Sequence, residues 1–201
     1  GAMFVHDSAC SISWFMKLSD IQTLQYIMGK HASSPTKGFK LYVEGGKLKI
    51  DFTDGANTTG GEFSLSGYGN SVSNHFCLVN DGQNTATSLT LYINGTSIGV
   101  SGATNACTDS KTTASFTIGN LQSSSTSGAT SKIDEVAIFD TGLTSSQVAE
   151  CYEIVSGNYT PANVASHSLY SANCGAYYRF DNTLTPADGI DASGNSSSNN
   201  I

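Results

Sequence analysis

A strand that runs directly into a capped helix, Lys132 to Val155, constrains this chain more than any other stretch. Ile133 to Phe139 is β-branched and aromatic with only Asp134 and Glu135 charged, the composition of a mostly buried strand. The residues after it carry a complete helix start. Thr144 can cap the first amides, Gln147 three residues on can reach back to Thr144, and Leu143 can staple to Val148. Val148, Cys151, Tyr152 and Val155 then recur at helical spacing and give one apolar stripe of about two turns. The helix is therefore short and needs a sheet to lie on.

The remaining sequence supplies strands joined by polar loops. Ile12, Trp14, Met16 and Leu18 alternate with Ser11, Ser13, Phe15 and Lys17, the pattern of a strand with one buried face, and Trp14 falls on that face. Tyr26 to Met28 reads as a short second strand. Leu41 to Glu44 and Lys47 to Phe52 flank Gly45-Gly46 as a hairpin, with Leu48, Ile50 and Phe52 facing one way and Lys47, Lys49 and Asp51 the other. Residues 53 to 71 read as loop around a strand at Glu62 to Leu65. His75 to Val79 is the next strand, turning at Asn80-Asp81-Gly82.

Leu89, Leu91 and Ile93 form another buried face, and Asn94-Gly95 is a strong hairpin signal that returns into Ser97 to Val100. Phe116 to Gly119 and Ile133 to Phe139 complete the set, separated by the Ser/Gly-rich residues 121 to 131. Short strands with turn punctuation and one helix predict an all-β fold, an antiparallel two-sheet sandwich, and exclude an α/β architecture.

Charge narrows the partners. Charged residues are 12% of the chain, the formal net charge is −7, and the nine Lys and Arg are not clustered in sequence, which argues against nucleic acid. No apolar run approaches the roughly 20 residues that span a bilayer, so membrane insertion by a helix is not expected. Gly1-Ala2-Met3 reads as the remnant of a cleaved tag, so native targeting is not legible. Cys10, Cys77, Cys107, Cys151 and Cys174 are odd in number and widely spaced, which favours buried thiols over a zinc site. The sequons at Asn57, Asn94, Asn158 and Asn195 are what an Asn/Ser/Thr-rich chain produces by chance.

A family resemblance rests on four stretches in order. Ile133-Asp134-Glu135-Val136 followed by Leu143-Thr144-Ser145-Ser146-Gln147-Val148 resembles the closing strand and helix of laminin-G-like, concanavalin A-like jelly rolls. Ser11 to Lys17 resembles an early strand, Leu89 to Gly95 the Leu-Tyr-Val-Asn-Gly hairpin, and Phe116 to Asn120 the strand before the last. The resemblance implies a jelly-roll domain over residues 4–155. It also marks 156–201 as an extension, because Cys174 to Asn182 and Ile190 to Asn195 are similar to the segment that opens such domains. Tyr177 to Phe180 is expected to fold back beside Ile133 to Phe139; the alternative is that it begins a further repeat.

By the same resemblance the expected function is a non-catalytic glycan-recognition or adhesion module of a larger extracellular or virion-surface protein. Its partner would be a glycan or a surface protein. A structural assembly domain that binds no sugar is the alternative, and a glycoside hydrolase ranks third. The resemblance further implies a Ca²⁺ site, with Asp134, Asp181, Asp191 and Asn195 as candidate ligands. The competing reading is that these side chains cap their own turns.

Residue chemistry weighs against catalysis. Paired carboxylates on one strand face are absent: Asp134 is expected to share a face with Val136 and Ile138, and Glu135 one with Ala137 and Phe139. His75 and Cys77 lie on one face and could be drawn as a thiolate pair, but sheet packing is the expected role of His75. His6, His31 and His167 are expected to be solvated. For a saccharide, Tyr68, Asn70, Asn74 and Tyr26, with the Asn57 loop, supply the rings and amides such a site needs.

Overall fold

The computed structural model describes residues 4–69, 71–121, 127–153, 168–179 and 190–191. Two antiparallel sheets face each other. In chain order the strands are β1 Cys10–Lys17, β2 Gln25–Ser33, β3 Thr36–Glu44, β4 Lys47–Thr53, β5 Thr58–Ser64, β6 Ser73–Asn80, β7 Leu89–Ile93, β8 Thr96–Ile98, β9 Val100–Asn105, β10 Phe116–Ile118, β11 Lys132–Phe139, β12 Cys174–Arg179 and β13 Ile190–Asp191. The seven-stranded sheet runs β13-β12-β11-β1-β6-β7-β8 and the six-stranded sheet β10-β2-β3-β4-β5-β9. This is the jelly-roll sandwich that the alternating strands predict.

The core lies between the sheets. Trp14 stacks on Phe76 at 5.4 Å, both without solvent exposure, and Phe39, Leu41, Ile50, Phe52 and Phe63 close on them from the other sheet. Each such side chain contributes about 1.5–3 kcal/mol by leaving water, so this layer supplies most of the fold's stability. A smaller second core sits on the outside of the seven-stranded sheet. There α1 Ser145–Glu153 and α2 Ser168–Asn173 cover Cys77, Val79, Ala137, Phe139 and Tyr177 through Leu143, Val148, Cys151 and Leu169.

The capping signal forms as the residues dictate. Thr144 N–H donates to Gln147 Oε1 at 2.9 Å, and Gln147 N–H donates back to Thr144 Oγ1 at 3.3 Å. Leu143 and Val148 are both buried in the same cluster. Val155, the fourth residue of the expected stripe, lies outside the described residues.

Several strands depart from the sequence pattern. The second strand has nine residues, not three, and forms a long hairpin with β3 through Ser34-Pro35. Gly29, Lys30, His31, Lys37 and Gly38 hide the alternation there; pairing with β10 and β4 on either side overrides their weak strand preference. The return strand after Asn94-Gly95 is also split. Thr96–Ile98 pairs with β7, and beyond Gly99 the chain crosses to the other sheet, where Val100–Asn105 pairs with β5.

A bulge in β11 changes which way Asp134 faces. Ser13 pairs with Ala137 but Phe15 with Asp134, so β11 carries one extra residue, and Glu135 takes it up at φ 53°. Ile133, Val136 and Ile138 therefore all face the inter-sheet core. Asp134 lies opposite Phe15 on the outer side with Ala137 and Phe139, and does not share a face with Val136 and Ile138 as strict alternation predicts. β12 pairs with β11 in the order Val136 with Tyr178, Ala137 with Tyr177 and Ile138 with Ala176.

Candidate functional site

The outer face of the six-stranded sheet is where the described residues assemble rings, cations and carboxylates together. Pairing of Tyr26 with Tyr42, Tyr42 with Lys49 and Lys49 with Glu62 lays one row across four strands, β2 to β5. Lys40 and Asp51 form the row beside it. The Tyr26 and Tyr42 rings meet at 5.9 Å, tilted by 57°. The Lys40 ammonium lies 5.2 Å and the Lys49 ammonium 5.9 Å from the centre of the Tyr42 ring, within cation–π reach.

The charges on this face hold one another. Tyr42 Oη donates to Asp51 Oδ2 at 3.0 Å, and Lys40 Nζ approaches the same oxygen at 3.3 Å. Lys49 Nζ lies 3.0 Å from Glu44 and 3.5 Å from Glu62, which also takes a hydrogen bond from Lys47. Burial and the Asp51 carboxylate push the Tyr42 phenol well above its ordinary range. The hydrogen bond and charge of Lys47, then the charge of Lys49, hold Glu62 below the ordinary carboxylate range.

Two glycines give these side chains room. A Cβ at Gly60 would come within 2.7 Å of Asp51 Oδ1, and one at Gly102 within 2.9 Å of Glu62 Oε2. Asp51 and Glu62 therefore lie flat over the neighbouring strands instead of projecting into solvent. Behind Tyr26 the chain after β10 forms a wall, with Tyr26 N–H donating to Ser127 O at 2.8 Å and Gln25 Oε1 accepting from Thr130 and Ser131.

The other residues expected at a ligand site are placed elsewhere. Tyr68 follows a turn closed onto Leu65 O and packs partly against the main core. Asn74 is 6% exposed; its amide donates to Val72 O and its oxygen accepts from Asn94 Nδ2 at 2.9 Å, so it pins the β7–β8 turn. Asn70 lies outside the described residues. The Asn57 loop is closed by Asp54, whose carboxylate takes the amides of Ala56, Asn57 and Thr108, and these hold it below the ordinary range. Among the described residues of that set, Tyr26 alone stands on the assembled face. Lys40, Tyr42, Lys49 and Glu62 belong with it but were not marked by sequence, although the alternation of Lys47, Lys49 and Asp51 away from Leu48 and Ile50 pointed to this side.

For a cation, the donor set does not come together among the described residues. Asp134 Oδ1 accepts the amide of Glu135 at 2.8 Å, and no group of three or more His, Cys, Asp or Glu there could hold a metal ion. Asp181 and Asn195 lie outside the described residues, and of Asp191 only its backbone pairing with Tyr178 is described.

The described histidines and the five cysteines are buried. His75 has no solvent exposure; its Nε2 shares a 2.8 Å hydrogen bond with Ser13 Oγ, and its ring sits between Phe15 and Tyr152 at 5.5 and 5.7 Å. Burial lowers its pKa to about 3 and raises that of Cys77 well above the usual thiol range, so neither can form the charged half of a thiolate–imidazolium pair. His6 and His31 are buried at 2% and 8% exposure, not solvated; His6 bonds Ser110 Oγ at 2.9 Å. His167 lies outside the described residues. All five cysteines are unbridged and buried.

Comparison with known proteins agrees with this architecture. The binding domain of botulinum neurotoxin D is 16% identical with a TM-score of 0.57, over 76% of this chain and 38% of that one. The NanB sialidase of Streptococcus pneumoniae gives 18% identity and a TM-score of 0.57, over 71% and 24%. The binding domain of Paraclostridial Mosquitocidal Protein 1 gives 15% and 0.57, over 75% and 38%. At such identities the likeness is one of fold, and the chain spans well under half the length of each of these structures. No curated protein sequence matches it. A laminin G family model, described as the concanavalin A-like lectin/glucanases superfamily, matches residues 2–149. Two facing antiparallel sheets, the capped helix on the outer layer and that match together place this chain in the concanavalin A-like lectin/glucanase superfamily.

Proposed function

We propose that the domain is a non-catalytic glycan-recognition or adhesion module of a larger extracellular or virion-surface protein, with the Tyr26–Tyr42 face as its saccharide platform. The observation that carries this reading is the preorganised network over Gly60 and Gly102. Its donors and acceptors are held by one another before any ligand arrives, so little side-chain entropy is lost on binding. A half-buried tyrosine pair beside carboxylates and ammonium groups matches the alternating apolar faces and hydroxyls of a sugar ring. Similar folds in proteins described as receptor binding domains support the class of partner.

The same network argues against hydrolysis. Asp51 and Glu62 share a face across adjacent strands, an arrangement that a search along single strands misses, and glycosidases use such pairs. One carboxyl of the pair must, however, keep a proton to protonate the leaving group. Glu62 is held ionised by Lys47 and Lys49, and Asp51 accepts from Tyr42 and Lys40. Glu62 is therefore not set up as the acid.

A glycan array probed with the labelled domain, with and without added calcium, tests the proposal. Selective binding to one saccharide class that weakens at least tenfold in Tyr26→Ala supports it, and loss on chelation would assign a calcium ion to recognition. Blank arrays in both conditions, with the protein forming symmetric oligomers in light scattering, overturn it in favour of an assembly domain.

A further inference from the structure

Both sheets end in edge strands, and β9 is the longest of these among the described residues: six residues, against three each in β8 and β10 and two in β13. Natural edges are blunted by Lys, by Pro or by a bulge that twists the strand away. Val100–Asn105 carries neither Lys nor Pro, and its one irregularity lies at the end nearer β8, where Ser101 Oγ donates to Glu62 O at 3.1 Å. Beyond it Gly102, Ala103, Thr104 and Asn105 pair residue for residue with β5, and the last three are exposed.

The free side of the strand follows from its ladder. Ala106 N–H donates to Thr58 O, and Thr104 and Gly102 stand opposite Gly60 and Glu62. Backbone groups of an antiparallel strand alternate in direction, so Gly102, Thr104 and Ala106 turn theirs towards β5 while Ala103 and Asn105 turn theirs outward. Those outward N–H and C=O groups meet no partner among the described residues. The Asn105 side chain is tied down separately, its Oδ1 accepting the Ala86 amide, so the end of the strand is held in place. Charge then selects the partner. The chain carries a formal net charge of −7, so contact between two copies generally brings like charges together, yet from Gly82 to Thr108 there is no Asp, Glu, Lys, Arg or His. Glu62 on the adjoining strand is already paired with Lys47 and Lys49.

We propose that β9 pairs with β9 of a second copy, antiparallel about a two-fold axis at Thr104, so that each Ala103 exchanges backbone hydrogen bonds with Asn105 of the other copy. Thr104 then faces Thr104 in the closer, non-hydrogen-bonded kind of pair, a favourable cross-strand match. The axis stands perpendicular to the sheet, so the two outer faces, each with its Tyr26 and Tyr42, point to the same side. With strands about 4.8 Å apart, the two Tyr42 rings lie on the order of 30 Å from one another. Two platforms aimed at one surface add avidity. That consequence rests on the saccharide reading; the pairing itself does not.

Analytical ultracentrifugation of the full chain from about 5 µM to about 1 mM reads the pairing: a reversible monomer–dimer equilibrium without larger species is expected, because the contact is short. Thr104→Cys should close into a covalent dimer under air, since the five native thiols are buried, whereas Thr96→Cys on the exposed β8 edge should not. Thr104→Lys, which sets two ammonium groups on the axis, should weaken dimerisation at least tenfold, and Ala103→Pro, which deletes an outward N–H, should do the same. Both changes face solvent in the monomer, so circular dichroism should not move. A chain that stays monomeric at the highest concentration, or a dimer equally tight in a folded Thr104→Lys variant, overturns the proposal. Tyr26→Ala should dimerise as the wild type does. Blank glycan arrays with the dimer intact would remove the saccharide platform and leave the pairing standing.

Discussion

Lowering the pH from 7 to 5 should destabilise this domain through His75. The ring is sealed between β1, β6 and α1, with Nδ1 facing no acceptor among the described residues, and burial sets its folded pKa at about 3 against 6.5 for the free side chain. The folded state therefore stays neutral while the unfolded chain takes up a proton below 6.5. Because the unfolded state binds more protons, the stability from neutral His75 is fully present above pH 6.5 and is lost as pH falls towards 3. At about 1.36 kcal/mol per unit, the loss between pH 7 and pH 5 is about 2 kcal/mol, or about 4–8 °C in Tm for a domain of this size. The shifted carboxylates, Asp20, Asp54, Glu62 and Asp109, are all lowered and so titrate below this window. Urea unfolding followed by the fluorescence of Trp14, at pH 7 and pH 5, measures the term. His31 is also lowered by burial, so the difference between wild type and His75→Gln isolates His75. The variant should be less stable at pH 7 yet lose about 2 kcal/mol less on acidification. Equal losses in the two proteins would refute the burial argument.

Two further outcomes follow from the packing. Thr144→Ala removes the hydroxyl that accepts the Gln147 amide and should cost about 1 kcal/mol in urea unfolding, with α1 amides exchanging faster. The five thiols, with Cys10 pushed up to about 12 and Cys77 raised by burial, should be inert to a disulfide reagent at pH 8 in the folded protein and all react in urea. Rapid labelling of the native state would contradict their burial.

Local patterns carried much of the architecture. The alternation in Ser11 to Lys17, the Asn94-Gly95 turn and the Thr144 to Gln147 capping box each depend on residues within a few positions of one another, so each is legible in one dimension. The long β2–β3 hairpin was not, because its central glycines and lysines acquire strand structure only from partners on both sides.

What the sequence by itself determined is therefore the sandwich, its buried faces and the capped helix, since hydrophobic period and capping chemistry act locally. Tertiary structure alone decided the direction of Asp134, because the extra residue at Glu135 exists only relative to the register of β1. It alone assembled Tyr26, Tyr42, Lys49 and Glu62 into one row, because residues 36 positions apart become neighbours only when four strands pair.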